Sequence, residues 1–575
     1  MRSRPPLRLL LALASTTGCA GRPTDAPAPA AGIAADWTFA AKARVTESPT
    51  AMVVSGHPLA SEIGRDILRS GGNAVDAAVA VGFALAVVHP EAGNIGGGGF
   101  MVIRTTDGTV RSLDYRETAP GRASRDMYLD PSGEPTDRSV TGHLAAGVPG
   151  SVAGLTAAHE RLGRLPFDSV ILPAIRLARG GFVVDEYRSE SIRSDSVRLS
   201  SFPASLTSFL PGGRPPAPGD RLTQPELATT LEAIRRHGAG GFYRGPVADL
   251  IVAEMRRGGG LIDHADLAGY RAIWRRPVTI RYRGHTVYSM PPASSGGVTM
   301  GEILNIMEGY DPLPAFGTPA LIHREAEAMR RAFTDRNRYL GDPDFVRNPI
   351  GRLLSKEYAA ALRNEIGERA TPTPAFDPTA AGGSSTTHYS VVDGDGNAVS
   401  CTTTLNDSYG SAVTVTGAGF LLNDEMDDFA TAPGKPNMYG LVQGEANAIE
   451  PGKRMLSAMT PSIVLDPHGQ LYMVAGTPGG PRIITMVYHV ISNVIDHRMS
   501  LAEAVSAPRM HHQALPDSLQ VEDGGFTATT LDSLRGRGHG IAARGYWGDV
   551  EAIIRTPRGW QGVSDPRRGG GGAGY

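Results

Sequence analysis

An apolar run from Ala77 to Val88 follows the polar opening Gly71-Gly72-Asn73-Ala74-Val75-Asp76 and stops at His89-Pro90. Its alanine density and its Asn/Asp opening predict a buried helix. A membrane span would need about 20 apolar residues, and this run is shorter. Met101–Arg104 and Val110–Arg116 flank Thr106-Asp107-Gly108 and predict a hairpin. The stretch from about Gly150 to Asp266 reads as helices with polar surfaces, and Ala320–Tyr339 as a further helix with apolar residues at helical spacing. No fixed-period repeat is present. A segment rich in Pro, Ala, Gly and Ser, Thr371–Ser385, then runs into two strand-like stretches, His388–Val392 and Ala398–Thr404, joined by Asp393-Gly394-Asp395-Gly396-Asn397. The joint begins like a calcium loop. Ala398 stands at its sixth position, where glycine is needed, and Thr404 at its twelfth, where glutamate is needed, so a hairpin turn is expected. The glycine run in Asn94–Phe100 lacks the Gly-Lys-Ser/Thr ending and the strand-to-helix context of a nucleotide cradle.

Size and charge narrow the function. The chain has 575 residues, with 56 Lys+Arg against 58 Asp+Glu, so no basic excess exists to hold nucleic acid. Hydrophobic residues at 41% and charged residues at 20% give the balance of a globular protein. The N-terminus differs from the rest. Arg2, Arg4 and Arg8 precede a short apolar core, Leu9–Ala14, and small residues follow. This is a secretory signal pattern over residues 1–19. Gly18-Cys19 also resembles a lipoprotein processing site, although Thr16 stands where leucine is usual. Lipid anchoring through Cys19 and simple cleavage both stay open. Residues 20–36 read as an Ala/Pro-rich tether, with the folded body starting near Trp37. An exported protein is expected, in the periplasm or cell envelope or secreted. Cys19 and Cys401 are the two cysteines, so one mature chain can hold no disulfide framework.

The chemistry centres on Thr386. A loose small-residue segment leads directly into Thr386-Thr387-His388-Tyr389-Ser390, a strand start. A threonine hydroxyl is a poor nucleophile without a base in hydrogen-bond reach. If the Ser385–Thr386 bond is cut, the new α-amine, with a reference pKa near 8, becomes that base. The upstream segment gives the slack such a cut requires.

Thr386–Asp393 resembles the processing motif of the γ-glutamyltransferases, which are N-terminal nucleophile hydrolases. Other stretches match in order: Asn73–Ala78, Tyr115-Arg116-Glu117, Pro291–Gly297, Tyr339–Pro343, Asn423–Phe429, Thr477–Gly480 and Ala507–His512. The resemblance covers nearly everything from Ala51 to Tyr575. It implies an α+β fold, a four-layer αββα sandwich, processed into a large subunit (37–385) and a small catalytic subunit (386–575) that form a heterodimer. Thr386 would be the nucleophile and Thr404 the residue orienting it. Gly479 and Gly480 would supply the oxyanion-hole amides. Arg116 and Ser457 would hold the α-carboxylate of a γ-glutamyl group, and Asn406, Glu425 and Asp428 its α-ammonium. Pro433–Leu441, with Tyr439, resembles a lid. Glutathione and other γ-glutamyl compounds would be the substrates, with water, amino acids or dipeptides as acceptors. No cofactor is implied.

Two departures stand out. Ala458 replaces the second of two adjacent serines, which removes a hydroxyl worth about 1 kcal/mol. Pro481 follows the glycine pair where serine is common. His388, His511 and His512 lack metal-ligand spacing and are read as packing histidines. Two rivals are a same-fold acylase that removes a glutaryl-type group, and an uncut, inactive binding homologue.

Overall fold

The computed structural model describes residues 32–373 and 385–575. The leader, Cys19, most of the tether and most of the segment before Thr386 lie outside the described residues.

Two antiparallel seven-stranded sheets stack face to face. The first has the order Gly571–Gly574, Met52–Ser55, Ser385–Val392, Ala398–Asn406, Gly98–Arg104, Val110–Tyr115, Ile273–Arg275. The second has the order Arg44–Ser48, Gly559–Ser564, Glu551–Thr556, Leu471–Ala475, Ser462–Leu465, His285–Ser289, Val278–Tyr282. Period-two alternation divides the strand residues between faces. Met52, Val54 and Val392 point into the layer between the sheets, against Ile463, Val474 and Ile553. Their neighbours Val53 and Val391 point outward, into a helical layer. That layer contains helices Pro58–Arg69, Ala74–Val88, Ser151–Leu162 and Phe167–Gly180. Helices Gly296–Glu308, Pro319–Tyr339 and Arg482–Ile495 cover the second sheet. The result is the αββα sandwich expected from the sequence.

The apolar run forms a helix that starts three residues earlier than its apolar stretch, at Ala74, and all fifteen of its residues are buried. Asn73 and Asp76 close a capping box at its N-terminus. Gly82 lets this helix approach the strand that carries Thr386, because a Cβ there would stand 2.8 Å from the Tyr389 hydroxyl. Both hairpins form as expected. In the calcium-like turn, Asp393 Oδ1 accepts the N–H groups of Asp395 and Asn397, both at 2.9 Å. Its Oδ2 accepts the Ala74 N–H at 2.9 Å and the Asn397 amide at 2.7 Å. The carboxylate is thus committed to protein donors, which tie the turn to the start of the buried helix.

One boundary moves. Residues 32–34, placed in the tether from sequence, are packed against the body. Ile33 bridges to Phe526, the Ala34 N–H donates to the Gly525 carbonyl at 3.2 Å, and the Thr527 N–H donates to the Gly32 carbonyl at 3.0 Å. Ile33 packs against the apolar layer that covers the second sheet, and the alanine and proline content around it hid that signal.

Replacing Asn73 by alanine removes the acceptor of the Val75 and Asp76 amides. The expected loss is about 1 kcal/mol, read as a lower denaturant midpoint at unchanged slope.

Candidate active site

Thr386 and Thr404 face each other across the antiparallel pair, and the Thr386 hydroxyl donates to Thr404 Oγ1 at 3.2 Å. Thr404 Oγ1 also accepts the Asn406 N–H at 2.8 Å, which orients its lone pairs. The pairing slips between Ser385 and Thr386: Ser385 stands opposite Asn406, and Thr386 opposite Thr404. Such an irregularity bends a strand and re-aims a side chain. Here it falls on the peptide bond expected to be cut.

The Thr386 side chain opens on a narrow pocket lined by Thr404, Asn406, Arg116, Glu425, Asp428, Tyr439, Ser457, Ala458 and Gly480. Of the residues expected to catalyse or to bind substrate, all but Gly479 line it, and Gly479 adjoins Gly480 in the chain. Arg116 follows directly on the strand Val110–Tyr115 and is buried. Its guanidinium forms ion pairs with Glu425 and Asp428, which sit one 3₁₀ turn apart on Glu425–Asp428, and its Nε donates to the Met455 carbonyl at 3.2 Å. The two halves expected to clasp a zwitterion therefore pair with each other.

Charge is unevenly balanced there. Glu117 lies 3.6 Å from the same guanidinium, so three buried or nearly buried carboxyl groups surround Arg116. Burial pushes Glu117 up to about 8 and raises Glu425 and Asp428, with Arg116 pulling all three the other way. A group of this kind gains from an added cation, and an ammonium supplies one.

Asn406 adopts φ +82°, a left-handed conformation that asparagine tolerates better than most residues. The turn sends its amide Nδ2 to the Asp424 carbonyl at 3.1 Å, while its Oδ1 accepts the Tyr439 hydroxyl at 2.9 Å. Ser457 Oγ accepts the Met459 N–H at 3.1 Å. Gly479 and Gly480 stand just before helix Arg482–Ile495, at φ +143° and +56°. A Cβ on Gly480 would lie 3.1 Å from the Tyr439 ring. Pro481 takes φ −59°, the value its ring fixes anyway, and so fits the start of that helix.

Arg336 is a lining residue that the sequence reading missed. It projects from helix Pro319–Tyr339, with Nε donating to Ser295 Oγ at 2.9 Å and Nη1 to Gln443 Oε1 at 3.1 Å. Burial lowers its pKa to about 10. A signal existed: Met329, Ala332, Phe333 and Arg336 continue one buried stripe, and an arginine on such a stripe needs a polar destination. The three histidines are buried. His388 bonds Thr402 and Ser390, His511 bonds Thr485 and Gln513, and His512 Nδ1 accepts the Ala514 N–H.

A sequence profile of the Gamma-glutamyltranspeptidase family matches residues 60–575. The chain is 47% identical over 524 residues to the glutathione hydrolase proenzyme of Escherichia coli strain K12, covering 90% of each. Its fold is similar to a cephalosporin acylase from Bacillus halodurans, with TM-score 0.82 and 29% identity over 92% of this chain and 97% of that one. It is also similar to the γ-glutamyltranspeptidase of Helicobacter pylori, with TM-score 0.55 and 46% identity over 57% of this chain and 94% of that one.

Gly480→Ala should force the Tyr439 ring aside and place a Cβ in a left-handed conformation, together costing about 1–2 kcal/mol. Turnover by the variant is expected to fall about tenfold or more, measured by steady-state kinetics on fully cleaved protein.

Proposed function

The chain belongs to the gamma-glutamyltranspeptidase family and is a self-processing glutathione hydrolase and γ-glutamyltransferase, and we propose that Thr386 is the nucleophile for both cleavage and turnover. The contact between the Thr386 and Thr404 hydroxyls in the lining of the charged pocket carries this reading.

In processing, Thr386 Oγ1 attacks the carbonyl carbon of Ser385. The peptide C–N bond breaks as an ester forms, and the departing nitrogen, protonated, becomes the α-amine of Thr386. Water hydrolyses the ester and restores the hydroxyl. A large subunit ends at Ser385 and a small one begins at Thr386. Both contribute strands to the first sheet, so they stay together as a heterodimer.

In turnover, the freed amine accepts the Thr386 proton while Oγ1 attacks the γ-carbonyl. Thr404 holds Oγ1 in line. The Gly479 and Gly480 amides take the developing oxyanion, helped by the positive end of helix Arg482–Ile495. The amine of the leaving group takes the proton, and a γ-glutamyl ester remains on Thr386. Water or the amine of an amino acid or dipeptide resolves it. Arg116 and Ser457 bind the α-carboxylate. Glu425, Asp428 and Asn406 bind the α-ammonium, which enters the acid-rich surroundings of Arg116 and relieves their mutual repulsion. No step requires a cofactor.

That ammonium separates this reading from the acylase alternative. A glutaryl group carries no cation and would leave the Glu425–Asp428 side without its partner, which is expensive for buried charge. An inactive binding homologue would have no use for the Thr386–Thr404 contact. The leader favours export to the cell envelope or beyond, and no helix among the described residues is long and apolar enough to cross a membrane.

On a denaturing gel the wild type should give two bands of roughly 40 and 20 kDa, from the division of the chain at Thr386 at ordinary residue mass. Thr386→Ala should give one. A γ-glutamyl anilide should be cleaved at least about a hundredfold faster than its glutaryl counterpart, because a site built around buried charge rejects an analogue that leaves it unpaired. Equal rates would favour the acylase. Ala458→Ser restores one hydroxyl beside Ser457 and should lower KM for γ-glutamyl donors about fivefold.

A further inference from the structure

The segment Met510-His511-His512-Gln513 is buried, and the reaction described above does not use it. Its hydrogen bonds run in one direction. Gln513 Nε2 donates to two carbonyls, those of Tyr439 at 3.1 Å and Leu515 at 3.2 Å. The amide can satisfy both only with its nitrogen toward them, so Oε1 faces His511 Nε2 at 2.9 Å and must accept from it. The proton of a neutral His511 therefore sits on Nε2. Its unprotonated Nδ1, 3.0 Å from Thr485 Oγ1, is an acceptor for the single threonine proton, for which the Arg482 carbonyl at 3.1 Å competes. Burial holds the ring neutral, well below the usual histidine range. Phe333 packs against the imidazole at 5.4 Å and 88°, fixing its plane.

The two ends of this chain of bonds matter. Thr485 lies in the first turn of helix Arg482–Ile495, which follows the Gly479-Gly480 pair in the chain. Tyr439 lies in the segment over the pocket, its ring against Gly480 and its hydroxyl on Asn406. The Gln513 bond to the Tyr439 carbonyl joins one end to the other from behind, on the backbone rather than the side chain.

We propose that Thr485, His511 and Gln513 form a latch that holds the Tyr439 segment closed over the γ-glutamyl pocket and fixes it to the helix carrying the oxyanion-hole glycines. His511 and Gln513 are positioning residues: they reach the substrate only through Tyr439. The latch rests on the reading of Pro433–Leu441 as a lid. Its loss should let bound donor escape without altering the chemical step.

The test compares cleaved wild-type enzyme with Gln513→Leu, Gln513→Glu and Thr485→Val, using a γ-glutamyl anilide and water as acceptor. Gln513→Leu keeps much of the packing and loses both donors. It should raise KM about tenfold, with kcat within about twofold. Gln513→Glu keeps an acceptor for His511 but turns a carboxylate oxygen toward the Tyr439 carbonyl, so it should not rescue. Thr485→Val, which cuts the far end only, should raise KM in the same direction by less, and it decides the matter if the Gln513 variants fail to mature. Amide hydrogen exchange over 433–443 should quicken in Gln513→Leu, with 398–406 unchanged. An unaltered KM and exchange rate in Gln513→Leu, or a fall in kcat alone, would overturn the latch. Tyr439→Phe separates the two ideas. If it raises KM while the Gln513 variants do not, the lid stands and the latch falls. If neither Tyr439→Phe nor Gln513→Leu changes KM, both fall.

Discussion

Everything at this site depends on a register. Antiparallel pairing sets Thr386 opposite Thr404, with a slip at the preceding residue. A shift by one residue would turn Thr386 toward the opposite face of the sheet, away from Arg116, Asp428 and the glycine pair. The turn that fixes this register is itself pinned, because Asp393 spends its carboxylate on Asp395, Asn397 and the first turn of the buried helix. The geometry of a single hydroxyl is thus secured by a layer of packing on each side of the strand that carries it.

The second constraint is electrostatic. Arg116, Glu117, Glu425 and Asp428 share a space from which water is largely excluded. Such a group is costly to assemble and becomes worthwhile when a ligand of complementary charge completes it. The amino-acid end of a γ-glutamyl group is that complement: its carboxylate competes for the arginine while its ammonium meets the carboxylates released. Arg336 adds a further cation toward Asp428, held in place by Ser295 and Gln443. Specificity for the zwitterion and exclusion of a plain dicarboxylic acyl group have the same origin.

Much of this was legible in the sequence, for physical reasons that differ by element. The buried helix announced itself by continuous apolar residues behind an Asn/Asp cap. The second hairpin did so by strand-formers on either side of a Gly-rich turn, which also brought Thr404 beside Thr386. Arg116, Glu425 and Asp428 could not be joined by any local pattern, since they come from positions about 310 residues apart, and only the family resemblance linked them. Arg336 was missed because a charged residue on an apolar stripe says that it is paired without saying with what. The bond from Gln513 to the Tyr439 carbonyl joins a side chain to a backbone atom 74 residues away, and a backbone acceptor leaves no trace in residue identity. Ile33 was absorbed into a tether because composition averages over the single large apolar side chain in a stretch of alanine and proline.

The most direct measurement is peptide mapping by mass spectrometry of enzyme quenched during turnover of a γ-glutamyl donor. A small subunit that begins at Thr386 and carries one γ-glutamyl group on that residue is the result expected. An adduct on any other residue, or active protein whose Ser385–Thr386 bond is intact, would contradict it.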